Sequence, residues 1–307
     1  MNGKAPRPDI YARITDHIIA DLEKGVRPWF KPWSAKNTEG RITRPLRHTG
    51  QPYTGINVLL LWSEAVSRGF ASPYWMTFKQ ACDYGAHVRK GETGALVVYA
   101  DRVRKTGTDE NGEEVEREIP FLKAYTVFNI EQIEGLPPHY LAPATPAPTL
   151  LTRIAQAEAF FAACGSDLRH GGNQAYYAPA ADYVQMPPFE AFKDAESYYA
   201  TLAHEHIHWT RHQSRLNREF GRKRFGDEGY AREELVAELG SAFLAADLGL
   251  APEPREDHAA YIGSWLNVLK GDKRFIVTAA AYAQKAADFL HGFQQAASSK
   301  PSASEAA

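Results

Sequence analysis

The sequence is poor in cysteine: Cys82 and Cys164 are the only two among 307 residues. They stand far apart and form no CxxC pair, so they read as free thiols in a reducing compartment, most simply the cytoplasm, and not as a disulfide framework. No apolar run approaches membrane-spanning length, and no membrane partner is expected. Met1-Asn2-Gly3-Lys4 leads into a polar amphipathic stretch unlike a secretory signal. Zinc-finger, helix-turn-helix and RRM signatures are missing, which argues against sequence-specific reading of a duplex. There is no internal repeat.

Net charge is also small, −2, but it is unevenly spread. Residues 1–105 carry 17 Lys/Arg against 9 Asp/Glu, whereas the remainder carries 18 against 28. A basic half joined to an acidic half suggests a polyanion partner for the first.

Prolines 137, 138, 143, 146 and 148 mark residues 134–150 as a stiff linker. It would join a basic domain over 1–133 to a second domain over 151–294, with 295–307 a disordered tail. In the first domain, helices are expected over Asp9 to Lys24, Gly55 to Ser67 and Thr77 to Gly85. Strands are expected at Ala95–Tyr99 and Leu122–Phe128, with Asn111-Gly112 at a turn between them. The second domain reads as helices near 150–164, 194–213, 230–248, 256–270 and 273–293, plus small strands between 168 and 187. The fold class is therefore α+β, with a mostly helical C-terminal part.

His204-Glu205-His206-Ile207-His208 reads His-Glu-x-x-His within a helical stretch that Asp194 can cap. Residues i and i+4 share one helix face, so His204 and His208 can hold one metal ion, and Glu205 can take a proton from water. This is the zincin arrangement for metal-assisted amide hydrolysis. Such a site needs a third protein ligand. His212 is too far along the helix, and the metzincin positions hold Arg211 and Ser214. His206 points away and reads as a packed or surface histidine. On the helix over 230–248, Glu234 and Glu238 share a face, and Glu233 reads as solvated. This stretch resembles the gluzincin pattern, which implies Glu234 as ligand and Glu238 as the acid orienting the first histidine, with exchanged roles still open. The donor set suits Zn²⁺, with Mn²⁺ or cobalt alternatives. Tyr183-Val184-Gln185-Met186 reads as an edge strand that could align an extended peptide. His258 or Tyr261 could donate to an oxyanion.

The basic half interleaves cations and aromatics: Arg27, Trp29, Lys31 and Trp33, then Arg44, Arg47, Tyr53 and Asn57, then Arg89 and Lys90 in a turn. Such mixtures bind single-stranded nucleic acid, with cations along phosphates and rings stacked on bases. Trp29 and Trp33 read equally well as core, and Trp62 and Trp75 read as core.

Pro28-Trp29, Pro32-Trp33, Tyr53-Thr54-Gly55-Ile56-Asn57 and Val88-Arg89-Lys90-Gly91-Glu92 resemble the ArdC-type single-stranded-DNA-binding domain, found also at the front of TraC-type plasmid primases. His204 to Trp209, Ser214-Arg215-Leu216-Asn217, Glu233 to Glu238 and Tyr261-Ile262-Gly263-Ser264-Trp265 resemble the metallopeptidase domain of the same proteins. The resemblance covers nearly the whole chain, and no primase domain is expected. It implies an antirestriction factor of conjugative plasmids that binds and protects incoming single-stranded DNA. The competing expectation is a DNA-localised metallopeptidase that cuts a host protein.

Overall fold

The computed structural model describes residues 9–29, 43–108, 114–141, 150–221, 227–250 and 258–298. In chain order the elements are α1 (Ile10–Glu23), β1 (Leu46–Arg47), α2 (Ile56–Arg68), β2 (Tyr74–Met76), α3 (Phe78–Asp83), β3 (His87–Val88), β4 (Ala95–Thr108), β5 (Glu114–Asn129), β6 (Ile133–Glu134) and α4 (Pro138–Leu141). Then follow α5 (Leu150–Ala163), β7 (Asp167–His170), β8 (Tyr176–Ala178), β9 (Tyr183–Met186), α6 (Ala195–Trp209), α7 (Glu228–Leu248), α8 (His258–Gly271) and α9 (Phe275–Ser298). The fold is α+β, as the periodicities suggest. Among the described residues no helix is long and apolar enough to cross a membrane.

The N-terminal sheet runs β1-β2-β5-β4, with β1 parallel to β2 and the other pairs antiparallel. The β4–β5 hairpin is longer than the apolar runs alone foretold: pairing continues from Ala95↔Val127 out to Thr108↔Glu114 through charged residues. Backbone pairing can extend beyond the buried face once a register is set. The apolar stripe of α1, Ile14, Ile18 and Leu22, is buried as its spacing requires.

The N- and C-terminal parts pack against each other. One apolar core runs from Ile14 on α1 through Trp62 on α2 to Phe243 on α7 and Leu290 on α9. Arg44 forks onto Asp247 with two 2.8 Å bonds, reaches Gln284 at 3.0 Å and lies over the Phe243 ring. The start of the proline-rich stretch is packed as well: Leu136 and Tyr140 are buried, and the Tyr140 hydroxyl donates to the His48 carbonyl at 2.6 Å. Residues 142–149 lie outside the described residues. Of the expected tail, 295–298 still belong to α9, and 299–307 lie outside the described residues.

Candidate metal centre

The motif helix α6 starts where Asp194 accepts the Ser197 amide at 2.7 Å, a side-chain cap of an otherwise unpaired helix N–H. It ends at Trp209, with Thr210 as its C-cap. His204 and His208 face the same way, with Nε2 atoms 3.1 Å apart. From α7, one Glu234 oxygen stands 3.4 Å from His204 Nε2 and the other 3.4 Å from His208 Nε2. A tetrahedral ion with bonds of about 2.0–2.1 Å to nitrogen and oxygen needs donors about 3.3–3.4 Å apart. The three donors fit a divalent cation on that measure.

Each imidazole is also held from behind. His208 Nδ1 donates to Glu233 Oε1 at 3.1 Å, which leaves the Nε2 lone pair for the centre. Arg218, itself buried, forks onto both Glu233 oxygens at 2.9 and 2.7 Å. Burial alone would raise Glu233, yet Arg218 and His208 hold its pKa at about 2. Burial would raise Glu234 too, but the two imidazoles keep it far below the usual carboxylate range. Burial works against a charged His208, and Glu234 and Glu233 together lift it to about 10. The acids thus favour positive charge at the imidazole pair. Behind His204, Glu238 Oε2 stands 3.9 Å from Nδ1, an ion-pair distance.

The solvated role expected for Glu233 is therefore corrected: it is 2% exposed and orients His208. A signal was present in the run. Ala231, Leu235, Val236, Ala237, Leu239, Ala242, Phe243 and Leu244 put apolar groups on every side of α7. A helix apolar all round is buried, so any acid on it must be partnered. Nothing in the spacing pairs Arg218 with Glu233. His206 is packed: its Nδ1 donates to the Leu202 carbonyl at 2.9 Å, Ser166 Oγ lies 3.0 Å from Nε2, and burial lowers it to about 4.

Gly240 sets the distance between α6 and α7. A Cβ there would lie 2.8, 2.9 and 3.0 Å from three carbons of the fully buried Ile207. We expect Gly240→Ala to destabilise the fold by about 1–2 kcal/mol, overpacking outweighing the better helix propensity. The urea midpoint measures it, and an unchanged or raised midpoint would refute the close-approach argument.

A cleft of about 290 Å³ opens onto the centre, lined by His204, Glu205, His208, Glu234, Arg211, Tyr230 and Tyr261 among others. The Tyr230 and Tyr261 hydroxyls are 3.1 Å apart. Burial and the nearby Glu234 charge raise the Tyr230 pKa, so it stays a protonated donor. Tyr230 was not singled out from sequence, although it precedes Glu234 by one helical turn. The His258 side chain lies outside the described residues. The expected edge strand Tyr183–Met186 is corrected: β9 is the centre of a β7-β9-β8 sheet. The edge toward the cleft is β8, whose Tyr176 and Tyr177 line it. Three residues are too short a run for periodicity to announce a strand.

The residues expected to touch DNA separate into groups. Trp29 is fully buried and donates to Glu238 Oε1 at 3.4 Å, and Arg27 lies 3.9 Å from the same oxygen. Arg44 is bound to Asp247, and the Asn57 amide is clamped to the Val98 backbone at 2.8 and 2.7 Å. In these four each polar group already has a protein partner. Lys31 and Trp33 lie outside the described residues. Arg89 and Lys90 are exposed, and Arg89 pairs with Glu92 at 3.0 Å. Arg47 is exposed and sits over the mostly buried Tyr53 ring. A groove of about 430 Å³ runs past Arg47, Tyr53, Tyr99 and Tyr125. Tyr99 is 51% and Tyr125 39% exposed, unusual for rings on a sheet, and Lys123 Nζ lies 5.1 Å from the Tyr125 ring centre.

Comparison with known proteins agrees with this layout. Residues 8–128 match the family described as the N-terminal domain of anti-restriction factor ArdC, and residues 155–282 the zincin-like metallopeptidase family. The uncharacterized protein y4eC of Sinorhizobium fredii (strain NBRC 101917 / NGR234) is 43% identical over 291 residues, covering 93% of this chain and 92% of that one. A DNA primase TraC of Escherichia coli is 39% identical over 93% of this chain, which spans only 27% of the primase. The metal-free crystal structure of the antirestriction ArdC protein from plasmid R388 superposes with a TM-score of 0.78 at 47% identity, covering 94% of this chain and 98% of that one. Its Mn(II)-bound structure gives a TM-score of 0.75 at 45% identity, covering 93% and 98%. With that identity spread over nearly the whole of both chains, the chain belongs to the ArdC antirestriction family.

Proposed function

We propose that this chain is an antirestriction factor that binds single-stranded DNA through its N-terminal domain and carries a metal-dependent peptide-bond hydrolase centre. The observation that carries the reading is the convergence of His204, His208 and Glu234 donor atoms beside Glu205 in one open cleft. A divalent cation held by those three residues would supply Lewis acidity toward a scissile carbonyl. Zinc and manganese both suit the donor set, and the Mn(II)-bound relative supports a divalent ion here.

The chain's own groups have separate tasks in this proposal. Glu205 takes the proton of the attacking water and returns it to the leaving amine. Tyr261 or Tyr230 donates to the oxygen on which negative charge grows. Strand β8 offers backbone N–H and C=O groups along which an extended peptide can add as a further strand. Glu233 and Arg218 hold the His208 Nδ1–H, so that Nε2 is the nitrogen turned toward the cation. The substrate is a peptide or host protein. We place the action in the cytoplasm, where Cys82 and Cys164, both free thiols, stay reduced.

On the DNA side, Tyr99 and Tyr125 supply stacking faces, and Arg47 and Lys123 supply charge for phosphates. We expect Tyr99→Ala and Tyr125→Ala each to weaken binding of a fluorescent single-stranded oligonucleotide about tenfold, since stacking contributes about 1–3 kcal/mol per base. Arg47→Ala should reduce the salt dependence of binding. Unchanged affinity in all three variants, or a preference for duplex, would remove the groove from the proposal. The second reading, in which cleavage of a host protein is the main role, is favoured by the full set of ligands, base and donors in the cleft.

A further inference from the structure

Glu238 is a carboxylate at 1% exposure, and its two oxygens look in different directions. Oε2 faces His204 Nδ1 at 3.9 Å, from within the metallopeptidase-like region. Oε1 faces the N-terminal region: Trp29 Nε1 donates to it at 3.4 Å, and Arg27 Nη1 stands 3.9 Å away. Arg27 and Trp29 lie just after α1, inside the stretch that matches the ArdC N-terminal family, some 209 residues before Glu238. The contact therefore joins two regions that the family matches treat as separate.

This segment is firmly seated. Pro28 and Trp29 are buried, and the Trp29 ring meets Trp265 of α8 edge-on at 6.3 Å. Helix α1 is fastened to the turn between α8 and α9 by the Thr15 hydroxyl, which donates to the Lys273 carbonyl at 2.5 Å, and by Lys273 Nζ on Asp16 at 2.7 Å. A buried carboxylate keeps its charge only with a cation or donors nearby. Burial lowers the Arg27 pKa while Glu238 raises it, so the two charges are sensed mutually.

We propose that Arg27 and Trp29 are positioning residues of the metal centre: through Glu238 they hold the His204 ring, so the DNA-binding region completes the outer sphere of the hydrolase site. The chain of contacts runs from the indole N–H and guanidinium to Oε1, and from Oε2 to the face of His204 opposite its metal-binding nitrogen. At 3.9 Å the last contact exceeds a hydrogen bond, so Glu238 acts on His204 through charge and orientation. Residues that orient a ligating histidine affect metal affinity about 10–100-fold. The inference rests on the reading of His204 as a ligand, and it assigns no step of the reaction to Arg27 or Trp29.

The test measures Mn(II) affinity of the full chain by calorimetry and the visible spectrum of the Co(II)-loaded protein. Glu238→Gln should bind Mn(II) about tenfold or more weakly. Trp29→Phe keeps the ring but loses the N–H, and Arg27→Gln keeps length but loses the charge. Each should weaken Mn(II) binding several-fold and shift the Co(II) bands, and Arg27→Lys should recover affinity. In the Glu238→Gln background, neither change should have a further effect. Trp265→Phe disturbs the same aromatic contact without touching Glu238, and it should leave Mn(II) affinity and the Co(II) bands unaltered. The inference is overturned if Trp29→Phe and Arg27→Gln bind Mn(II) like the parent, or if their effects persist undiminished beside Glu238→Gln. His204→Ala separates the causes. If it abolishes Mn(II) binding while those variants do not weaken it, the relay alone falls. If it leaves Mn(II) binding intact, the metal centre itself is misplaced.

Discussion

Glu205→Gln is expected to lower hydrolysis of peptide bonds by about 10²–10⁴-fold, the usual contribution of a positioned general base. The substitution keeps the size of a side chain that is 3% exposed in α6 and removes only its ability to accept the proton. Mn(II) affinity should hold, because the converging donors come from His204, His208 and Glu234. Oligonucleotide binding should hold as well, since the groove past Tyr99 and Tyr125 has none of its lining residues in common with the cleft. The measurement is cleavage of an unstructured protein and of a proteome-derived peptide mixture by the Mn(II)- or Zn(II)-loaded chain, read by mass spectrometry. Full cleavage by the variant would remove Glu205 from the chemistry. The same variant, tested for survival of transferred DNA in a restricting host, separates the two functional readings. Full protection would make hydrolysis dispensable for it, whereas DNA binding without protection would make hydrolysis its basis.

Arg218→Met is expected to cost about 3–5 kcal/mol of stability, the range for breaking a buried ion pair from one side. Arg218 is 2% exposed and donates two bonds to Glu233, one to Thr210 Oγ1 at 3.1 Å and one to the Ile207 carbonyl at 2.9 Å. Without it, Glu233 is left as a buried charge next to His208. The Met side chain fills most of the space, so the loss reports charge and hydrogen bonding more than a cavity. Urea unfolding gives the number, and the variant should also bind Mn(II) more weakly, because His208 loses the anchored acid behind its ring. Changing both partners, Arg218→Met with Glu233→Gln, should recover part of the stability, since neither residue then leaves an uncompensated charge. A loss below about 1 kcal/mol for the single variant would mean that Glu233 takes up its proton or a new partner at little cost.

Much of this arrangement was legible because it is local. Ile14, Ile18 and Leu22 announce α1 by spacing, and Asp194 announces the start of α6. His204 and His208 must share a face on any helix, whatever surrounds it. Glu234 came into view by resemblance to a known pattern and not by any local rule. Partners from distant segments were not legible. Tryptophan next to cations reads as a base-stacking pair, but an indole offers the same N–H and apolar ring to a core. Trp29 is drawn inside by Trp265 and by the buried oxygen of Glu238. Arg44 and Asn57 carry groups suited to a nucleic acid, and both are already engaged by Asp247 and by the β4 backbone.

By itself the sequence determined that two imidazoles and a carboxylic acid sit on one helix, that a basic region precedes an acidic one, and that the fold mixes helices with short sheets. These follow from residue type and from spacings of a few residues, where backbone geometry leaves few alternatives. Only the tertiary structure decided that Glu233 and Arg218 stand behind His208, that β8 and not β9 borders the cleft, and that Arg27 and Trp29 reach Glu238. Those outcomes depend on which distant segments meet, and a polar side chain takes whichever partner the packed core places within reach.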